Sequence, residues 1–345
     1  MRKPALALAL AALALCLGAA FALLWVADRC QRPALLPEGG YTLTVAPGES
    51  LASLSRRLEA AGIIDSALLL DLYGRYTGLD SRIHRGEYRL TGAPTAAEIL
   101  DQLVAGAVIE YQVTLPEGIT LARALAILAG EEALAGELSG VDDPRLLALA
   151  PARPSAEGLF LPETYRYRRG ESDWAVLQRA HSALERELAE AWAARAPALP
   201  LDGPYEALVL ASIVERETAV PAERDRIAGV FLRRLDRGMR LQTDPTVIYG
   251  LGGAFDGNLR REHLKDDSNP YNTYRHHGLP PTPIALPGRA ALRAAVQPAE
   301  GSALYFVARG DGSHVFSDTL EAHRRAVREY QLKRRADYRS TPGPG

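Results

Sequence analysis

Residues 4–26 form one uninterrupted apolar run, mostly alanine and leucine, that contains no charged side chain. A helix of about 20 apolar residues is long enough to cross the hydrocarbon core of a bilayer. Arg2 and Lys3 precede the run, and basic residues favour the cytoplasmic side of a membrane. The sequence therefore predicts a cytoplasmic N-terminus at residues 1–3, a transmembrane anchor at 4–26, and a remainder that lies outside the cytoplasm.

Two other interpretations of this run stay open. Ala20-Phe21-Ala22 resembles a signal-peptidase site, at which the segment would be cleaved, but the apolar run continues beyond it to Val26. Leu13–Cys16 weakly resembles a lipoprotein signal, although Leu15 is bulky for the position before the cysteine. A retained anchor is the favoured interpretation, and each alternative also places the rest of the chain outside the cytoplasm.

Composition narrows the class of protein. The chain has 345 residues, which is enough for two domains with a sizeable core. Its formal net charge is −2, so it lacks the basic balance that is typical of nucleic-acid-binding proteins. Cys16 and Cys30 are its two cysteines, and no Cys/His spacing resembles a zinc site. We expect no metal, no organic cofactor and no nucleic-acid partner.

Residues 41–115 follow a short linker at 27–40 and predict a small module. Strands at Tyr41–Val45 and Gly86–Leu90 flank two helices that Ser50 and Ser66 can cap. The order strand–helix–helix–strand resembles a LysM module, a class that binds glycans containing N-acetylglucosamine. A purely structural α+β domain fits the pattern equally well, since no polar signature for sugar binding is obvious there.

A capping box, Thr95-Ala96-Ala97-Glu98, opens a connecting helix, and a strand at Tyr111–Leu115 ends this part of the chain. Residues 116–336 predict a larger domain of helices and strands, followed by a disordered tail at 337–345. Glycine at Gly310 and Gly312 between two apolar runs predicts a hairpin, and a charged helix is expected from Leu320 to about Arg335. The predicted fold class is α+β, with one transmembrane helix, a LysM-like module and a mixed α/β catalytic domain.

An acidic residue on an apolar helix is the main candidate for chemistry. In the helix predicted from Tyr205 to Thr218, about 100° per residue puts Ser212 on the polar side and Glu217 between apolar neighbours. Glu215 falls on the opposite flank, nearer the polar side. A carboxyl that loses solvation has a raised pKa, which suits a general acid near neutral pH. An alternative is that both glutamates pair with arginines such as Arg216, Arg224 or Arg226.

The segments after this helix combine core and polar patterns. Pro221 opens a second helix whose arginines indicate a solvated face: Arg224, Arg233, Arg234 and Arg237. Gln242-Thr243-Asp244-Pro245-Thr246 is a polar run between apolar residues, which is more typical of a site than of a solvated loop. Residues 269–287 are rich in proline, glycine, asparagine and tyrosine, so they predict a long ordered loop, and such loops are usually functional.

Several long motifs stand in this half of the chain: Leu210–Thr218, Gly238–Gly250, Tyr271–Tyr274, Gly278–Pro281, Leu304–Ala308 and Gly312–Phe316. They resemble the motifs of one family, the MltG (YceG-like) endolytic peptidoglycan transglycosylases. The anchor and the LysM-like module also stand in that family's order, and the resemblance covers nearly the whole chain.

The resemblance implies a lytic transglycosylase, a carbon–oxygen lyase of class EC 4.2.2.-, with Glu217 as its catalytic acid. That residue would protonate the bond between N-acetylmuramic acid and N-acetylglucosamine and then accept the proton of the muramic C6 hydroxyl, which closes a 1,6-anhydro ring. The family also implies a single-pass protein of the inner membrane with a periplasmic catalytic domain. It would cut nascent strands beside penicillin-binding proteins and help to set strand length.

Six further residues of these motifs are candidate substrate contacts, because sugars offer both hydroxyl groups and apolar faces. They are Gln242, Thr243, Asp244, Tyr271, Asn272 and Tyr274. Each of them could instead be a structural turn residue. His276, His277 and His314 are weaker candidates.

Asp244 carries the main alternative, since it could cap a turn before Pro245 or act as a second carboxylate in a muramidase-type hydrolase. A non-catalytic glycan-binding scaffold is the other alternative. The sequence leaves open the preferred strand length, the stem peptide, the oligomeric state and the partner synthase.

Overall fold

The computed structural model describes residues 3–151 and 153–332. Within them the chain forms two compact units, one made of the residues up to Tyr111 together with Arg166–Gly170, and the other of the remaining residues. We call them the first and the second unit. Each unit has its own apolar core.

The first unit begins with helix α1, Lys3–Cys30. Its Leu10–Cys30 stretch is long and apolar enough to cross a membrane, and nearly all of its side chains are exposed. The helix continues past the predicted end of the anchor at residue 26. Over these last residues Val26 and Cys30 are buried against Ala97, so protein contacts stabilise the end of the helix.

The rest of the first unit has the predicted element order. Strands β1 and β2 pair antiparallel, with Tyr41 opposite Leu90 and Val45 opposite Gly86. Ser50 accepts a hydrogen bond from the Ser53 N–H at the start of α2, and Thr95 and Glu98 form the predicted capping box of α4. The likeness to LysM modules stays a prediction. The elements are β1 Tyr41–Val45, α2 Leu51–Ala60, α3 Ala67–Thr77, β2 Gly86–Leu90 and α4 Ala96–Ala105.

Strand β5, Thr164–Arg168, was not predicted. It pairs with the predicted strand β3, Glu110–Thr114, and its side chains are alternately exposed and buried. Its buried side chains, Tyr165 and Tyr167, are aromatic, so one face of β5 is packed against the protein interior.

The second unit is mainly helical. Its small sheets are a parallel pair, β4 with β6, and the predicted hairpin, β7 with β8, in which Tyr305 lies opposite Ser317. Residues beyond 332, where the last helix was predicted to end, lie outside the described residues. The elements are α5 Leu121–Ala129, β4 Leu134–Ala135, α6 Pro144–Ala148, β6 Glu171–Ser172, α7 Asp173–Ala193, α8 Pro204–Glu217, α9 Arg224–Asp236, α10 Asp244–Leu251, α11 Arg289–Val296, β7 Tyr305–Ala308, β8 His314–Ser317 and α12 Leu320–Val327.

Three short 3-10 turns and one π-helical turn complete the unit. Pro221–Glu223 is a 3-10 turn, so α9 begins three residues later than predicted. The others are 3-10 turns at Gly252–Ala254 and His263–Lys265 and a π-helical turn at Arg328–Leu332.

Helix α8 is the centre of this unit. Every residue from Ala207 to Val214 is buried, and the helix packs against α7, α9 and α11. The predicted polar side of the helix is therefore wrong: Ser212 is fully buried, donates to the Val209 carbonyl and accepts from the Ile284 N–H at 3.0 Å. Because Ile284 belongs to the 269–287 loop, Ser212 fixes that loop on the helix.

The predicted solvated face of α9 is also wrong in part. Arg234 is buried, and its guanidinium donates to the carbonyl oxygens of Leu304, Arg240 and Leu241. A buried cation is tolerated when backbone oxygens satisfy its donors. Arg234 thus ties α9 to the hairpin and to the segment that leads into α10.

Candidate active site

The candidate site lies where three segments of the second unit meet: the end of α8, the Gln242–Thr246 run and the 269–287 loop. Glu217 is the last residue of α8, and Thr243 immediately precedes α10. The Thr243 hydroxyl donates to Oε2 of Glu217 at 2.5 Å. The structure therefore brings together two of the residues that the sequence singles out.

A cluster of buried threonines fixes Thr243. Its N–H donates to the Thr273 hydroxyl at 3.1 Å, and its carbonyl oxygen accepts from the Thr246 hydroxyl at 2.9 Å. The Thr246 and Thr273 hydroxyls are also 2.9 Å apart. Gln242 just before it has a φ of 52°, a left-handed conformation that is uncommon outside glycine. The sequence analysis placed Thr246 in a polar run typical of a site and Thr273 in a family motif, but it gave neither a role, because a buried hydroxyl with long-range partners has no local pattern.

The carboxyl of Glu217 is enclosed by protein, although the residue as a whole keeps some exposure. This burial is the largest cause of its raised pKa, and the negative charge of Asp244 raises the pKa further. The hydrogen bond from Thr243, the electrostatic effect of His314 and the positive charge of Arg234 act in the opposite direction. The raised pKa is in the direction that the sequence predicts for this carboxyl.

Glu215 differs from Glu217 in its partners rather than in burial. Its side chain is 5% exposed, so the prediction that it lies nearer the polar side of the helix is wrong. One oxygen pairs with Arg224 at 3.3 Å, and the other accepts from the Gly288 N–H at 3.0 Å. Arginine pairing therefore holds for Glu215, whereas among the described residues Glu217 has no ion-pair partner within 4 Å.

Asp244 and Tyr274 form a second polar contact beside Glu217. The Tyr274 hydroxyl donates to the exposed Asp244 carboxylate at 2.7 Å. Burial, followed by the charge of Asp244, raises the pKa of Tyr274, so the phenol stays a proton donor. The sequence left Asp244 open between a turn cap and a second carboxylate. In the structure it is the first residue of α10, where a negative charge interacts favourably with the helix dipole.

The other predicted contacts have different surroundings. Tyr271 is partly buried, its hydroxyl lies 2.9 Å from that of Thr282, and its ring meets Tyr249 edge to face. Asn272 is fully buried, and its amide donates to the carbonyls of His263 and Asp266 while its oxygen accepts from the Tyr274 N–H. In this structure Asn272 holds the loop together, and a sugar contact by its side chain stays a prediction.

The three histidines also separate. His276 and His277 are exposed and contact backbone carbonyls of Asp267 and Gly238. His314 is buried in β8, where its Nδ1 lies 2.7 Å from a Glu223 oxygen and its N–H donates to the other at 2.9 Å. Of the three, His314 is near enough to Glu217 to lower the pKa of its carboxyl. No group of three or more His, Cys, Asp or Glu within the described ranges could hold a metal ion.

With this geometry in place, comparisons with known proteins identify the family. The sequence model of the YceG-like family matches residues 43–329, which is most of the chain. The chain belongs to the YceG-like family. The match includes every candidate site residue named above.

Named relatives of this YceG-like chain agree. It is 30% identical, over 84% of its own length and 84% of the relative's, to a Bacillus subtilis (strain 168) protein named endolytic murein transglycosylase. A Streptococcus pneumoniae (strain D39) protein of the same name is 28% identical, and the match spans 58% of that longer chain. The crystal structure of a yceG-like protein of Listeria monocytogenes, lmo1499, matches with a TM-score of 0.53 at 29% identity, over 83% of this chain and 98% of that one.

Proposed function

We propose that this YceG-like protein is an endolytic peptidoglycan lytic transglycosylase in which Glu217 is the only catalytic carboxyl. The observation that carries the proposal is the state of Glu217: an enclosed carboxyl with a raised pKa, bonded to a neutral hydroxyl rather than to a cation. Such a group holds a proton to higher pH than an exposed glutamate does. The names of the relatives support the same activity.

Glu217 acts twice in the proposed reaction. Protonated, it gives its proton to the oxygen of the bond between N-acetylmuramic acid and N-acetylglucosamine, and that bond breaks as positive charge develops at the muramic C1. The Glu217 carboxylate then takes the proton of the muramic C6 hydroxyl, whose oxygen bonds to C1. The products are a new N-acetylglucosamine end and a 1,6-anhydro end, and Glu217 is protonated again.

The site around Glu217 supports these two steps. Thr243 holds the carboxyl in place, and the neutral hydroxyl leaves it free to change protonation state. We propose that Gln242, Asp244, Tyr271 and Tyr274 contact the sugars, since each presents a polar group or ring that is not fully buried. Thr243 is 2% exposed, so its proposed role is to position Glu217.

A hydrolase is the second candidate, and Asp244 is the observation that favours it. Its carboxylate is exposed and close enough to Glu217 to raise that residue's pKa. A second carboxylate could activate water or attack C1, as in ordinary glycosidases. The hydrogen bond from Tyr274 occupies one of its oxygens, which favours a binding or structural role for Asp244.

The location of the activity follows from α1. We propose that this helix is a retained, single anchor in the cytoplasmic membrane and that the second unit and the remainder of the first unit lie outside the cytoplasm. An enzyme held there meets glycan strands as they emerge from synthesis. It would cut them beside penicillin-binding proteins and so limit strand length, while the β1–α4 part of the first unit serves as a LysM-like module.

Mass spectrometry of digested glycan tests the proposal. The full-length protein in detergent should leave 1,6-anhydro ends, and Glu217→Gln should abolish them while the thermal unfolding temperature does not fall. Asp244→Asn is the matched control, because it neutralises the neighbouring carboxylate and should still give anhydro ends. Reducing ends from the wild type, lost in Asp244→Asn, would instead establish the hydrolase. If the wild type cleaved no glycan, the remaining function would be that of a non-catalytic glycan-binding scaffold.

A further inference from the structure

A cleft of about 850 Å³ in the second unit shares only Tyr271 with the residues that were given roles in the reaction proposed above. Glu217 does not line it. Arg216 and Pro245 do, and they are the chain neighbours of Glu217 and Asp244. The cleft therefore begins one residue away from each carboxyl of the candidate site. Its volume is near the upper end for small-molecule sites and exceeds what one sugar ring fills. We call it the Glu157 cleft, after the acidic residue in it.

Glu157 is a buried carboxyl of this cleft. The residue is 4% exposed, and its oxygens accept from the Leu121 N–H at 2.8 Å and the Tyr249 hydroxyl at 3.2 Å. Within the described part of the chain, no cation lies within ion-pair distance of it. Burial raises its pKa to about 7, so at neutral pH it exists in both forms. Such a carboxyl can accept a hydrogen bond from an amide N–H or donate one to an amide carbonyl.

Aromatic and apolar groups form the wall. The rings of Tyr249 and Tyr271 meet edge to face with centroids 4.8 Å apart, and Ile119 and Ile248 also line the cleft. This wall suits an extended ligand with both apolar and amide groups. It is less suited to a fully hydroxylated one.

Two arginines give the cleft a positive rim. Arg216 donates to the Gly118 carbonyl at 3.0 Å, which fixes its guanidinium at the edge, and Arg123 is exposed on α5. Among the described residues, neither has a carboxylate within 4 Å. Glu117 is the acidic residue of the rim, and Arg224 lies 3.9 Å from it. Exposed guanidinium groups beside a cleft are suited to bind ligand carboxylates.

We propose that the Glu157 cleft binds the acidic peptide stem carried by a sugar next to the bond that is cut. The stem is a short peptide with free carboxylates, so its carboxylates meet Arg216 and Arg123 while its amides reach Glu157. This inference rests on the proposed function, because it takes peptidoglycan to be the substrate. It adds that the enzyme distinguishes strands with peptide stems from denuded ones.

Binding measurements on the inactive Glu217→Gln protein test it. The full chain in detergent is titrated with a glycan of two disaccharide repeats that carries tetrapeptide stems, and with the same glycan after an amidase has removed them. The quantity measured is the ratio of the two dissociation constants. Because a hydrogen bond to a charged group contributes about 1.5–3 kcal/mol, we expect binding of the stem-bearing glycan to be at least about tenfold tighter.

Two independent variants should bring this ratio close to one. Arg123→Gln combined with Arg216→Gln removes the positive rim. Gly253→Trp fills the cleft instead, and it should fold, because a Cβ at Gly253 meets nothing within 4 Å and its φ is not positive. The control for loss of a surface charge is Arg195→Gln, which removes one positive charge from a residue outside the cleft that donates to the Trp192 carbonyl. It should keep the parent ratio.

A parent ratio of one would overturn the proposal, since stems would then not be recognised. A high ratio that survives both variants would also overturn it, because the stems would bind elsewhere. Loss of denuded-glycan binding in Gly253→Trp with an unchanged ratio would make the cleft a sugar site. These outcomes do not depend on the reaction, since Glu217→Gln is inactive in every measurement. Failure of the proposed function appears separately, as the wrong product from the wild type.

Discussion

Replacing Thr243 by valine should move the pH dependence of the reaction, because the Thr243 hydroxyl is the largest of the influences that lower the pKa of Glu217. It donates to Oε2 of Glu217 at 2.5 Å and stabilises the ionised carboxylate. Without it the ionised form is less stable, so the pKa of Glu217 rises further. A hydrogen bond to a charged group contributes about 1.5–3 kcal/mol, which corresponds to roughly one to two pKa units.

The direction follows from the role of the acid. Glu217 must be protonated to start the reaction, so activity falls as pH rises through its pKa. In Thr243→Val that fall should occur about one to two pH units higher. Valine suits the position, because the backbone of Thr243 is extended, with φ −119° and ψ 129°, and its side chain does not cap α10. The substitution therefore removes the hydroxyl with little change of shape.

The assay is the initial rate of 1,6-anhydro product, measured by chromatography and mass spectrometry from pH 4 to about pH 9. Thr243→Ser is the first control, since it keeps a hydroxyl and should follow the wild type. Thr246→Val is the second, because it removes a neighbouring buried hydroxyl that donates to the Thr243 carbonyl and not to Glu217. An alkaline limb that stays in place in Thr243→Val, or moves down, would refute the assigned role of this hydrogen bond.

Three other changes have directions set by the structure. His314→Gln removes an imidazole whose electrostatic effect lowers the pKa of Glu217, so the alkaline limb should move up, by less than in Thr243→Val. Asp244→Asn removes a charge that raises the pKa of Glu217, so the limb should move down. Both are read from the same pH–rate profiles. The pKa of Glu157 is about 7 when folded against a usual 4.5, so the folded state loses stability as pH rises between these values, by up to about 3 kcal/mol. Glu157→Gln should not show this loss of stability. Urea unfolding of the wild type and of Glu157→Gln at pH 4 and pH 8 measures how the free energy of unfolding changes in each.

The sequence predicts well those features that depend on near neighbours in the chain. The capping box at Thr95, the cap at Ser50 and the hairpin after Tyr305 are confirmed, because each involves residues a few positions apart. Strand β5 was missed because its partner, β3, lies some fifty residues earlier. A short strand has no local signal that indicates which distant strand it pairs with.

Buried polar residues are even harder to predict from the sequence, because their partners are distant in the chain. Ser212 and Arg234 were assigned to solvated faces, because a helix pattern sorts residues by polarity alone. Both are buried, and their partners are backbone groups of distant segments, Ile284 and Leu304. The free energy of burying them is offset by hydrogen bonds that only the folded chain provides. For the same reason the buried carboxyl of Glu157 and the cleft beside it could not be predicted.

The geometry of the helix explains why two glutamates only two residues apart have such different surroundings. Two residues span about 200° of an α-helix, so the side chains of Glu215 and Glu217 must point in nearly opposite directions. Glu215 reaches Arg224 and the Gly288 N–H, where its charge is stabilised. Glu217 lies at the C-terminal end of α8, where the helix dipole disfavours an anion.

Burial, the helix dipole and Asp244 thus all favour the protonated form of Glu217, while Thr243, His314 and Arg234 favour the ionised one. A residue that must give a proton and then recover one needs both forms to be accessible within one reaction. A strong cationic partner, such as the one Glu215 has, would hold the carboxylate ionised and prevent the first step. The neutral hydrogen bond from Thr243 is therefore the kind of contact that a single-carboxyl mechanism requires.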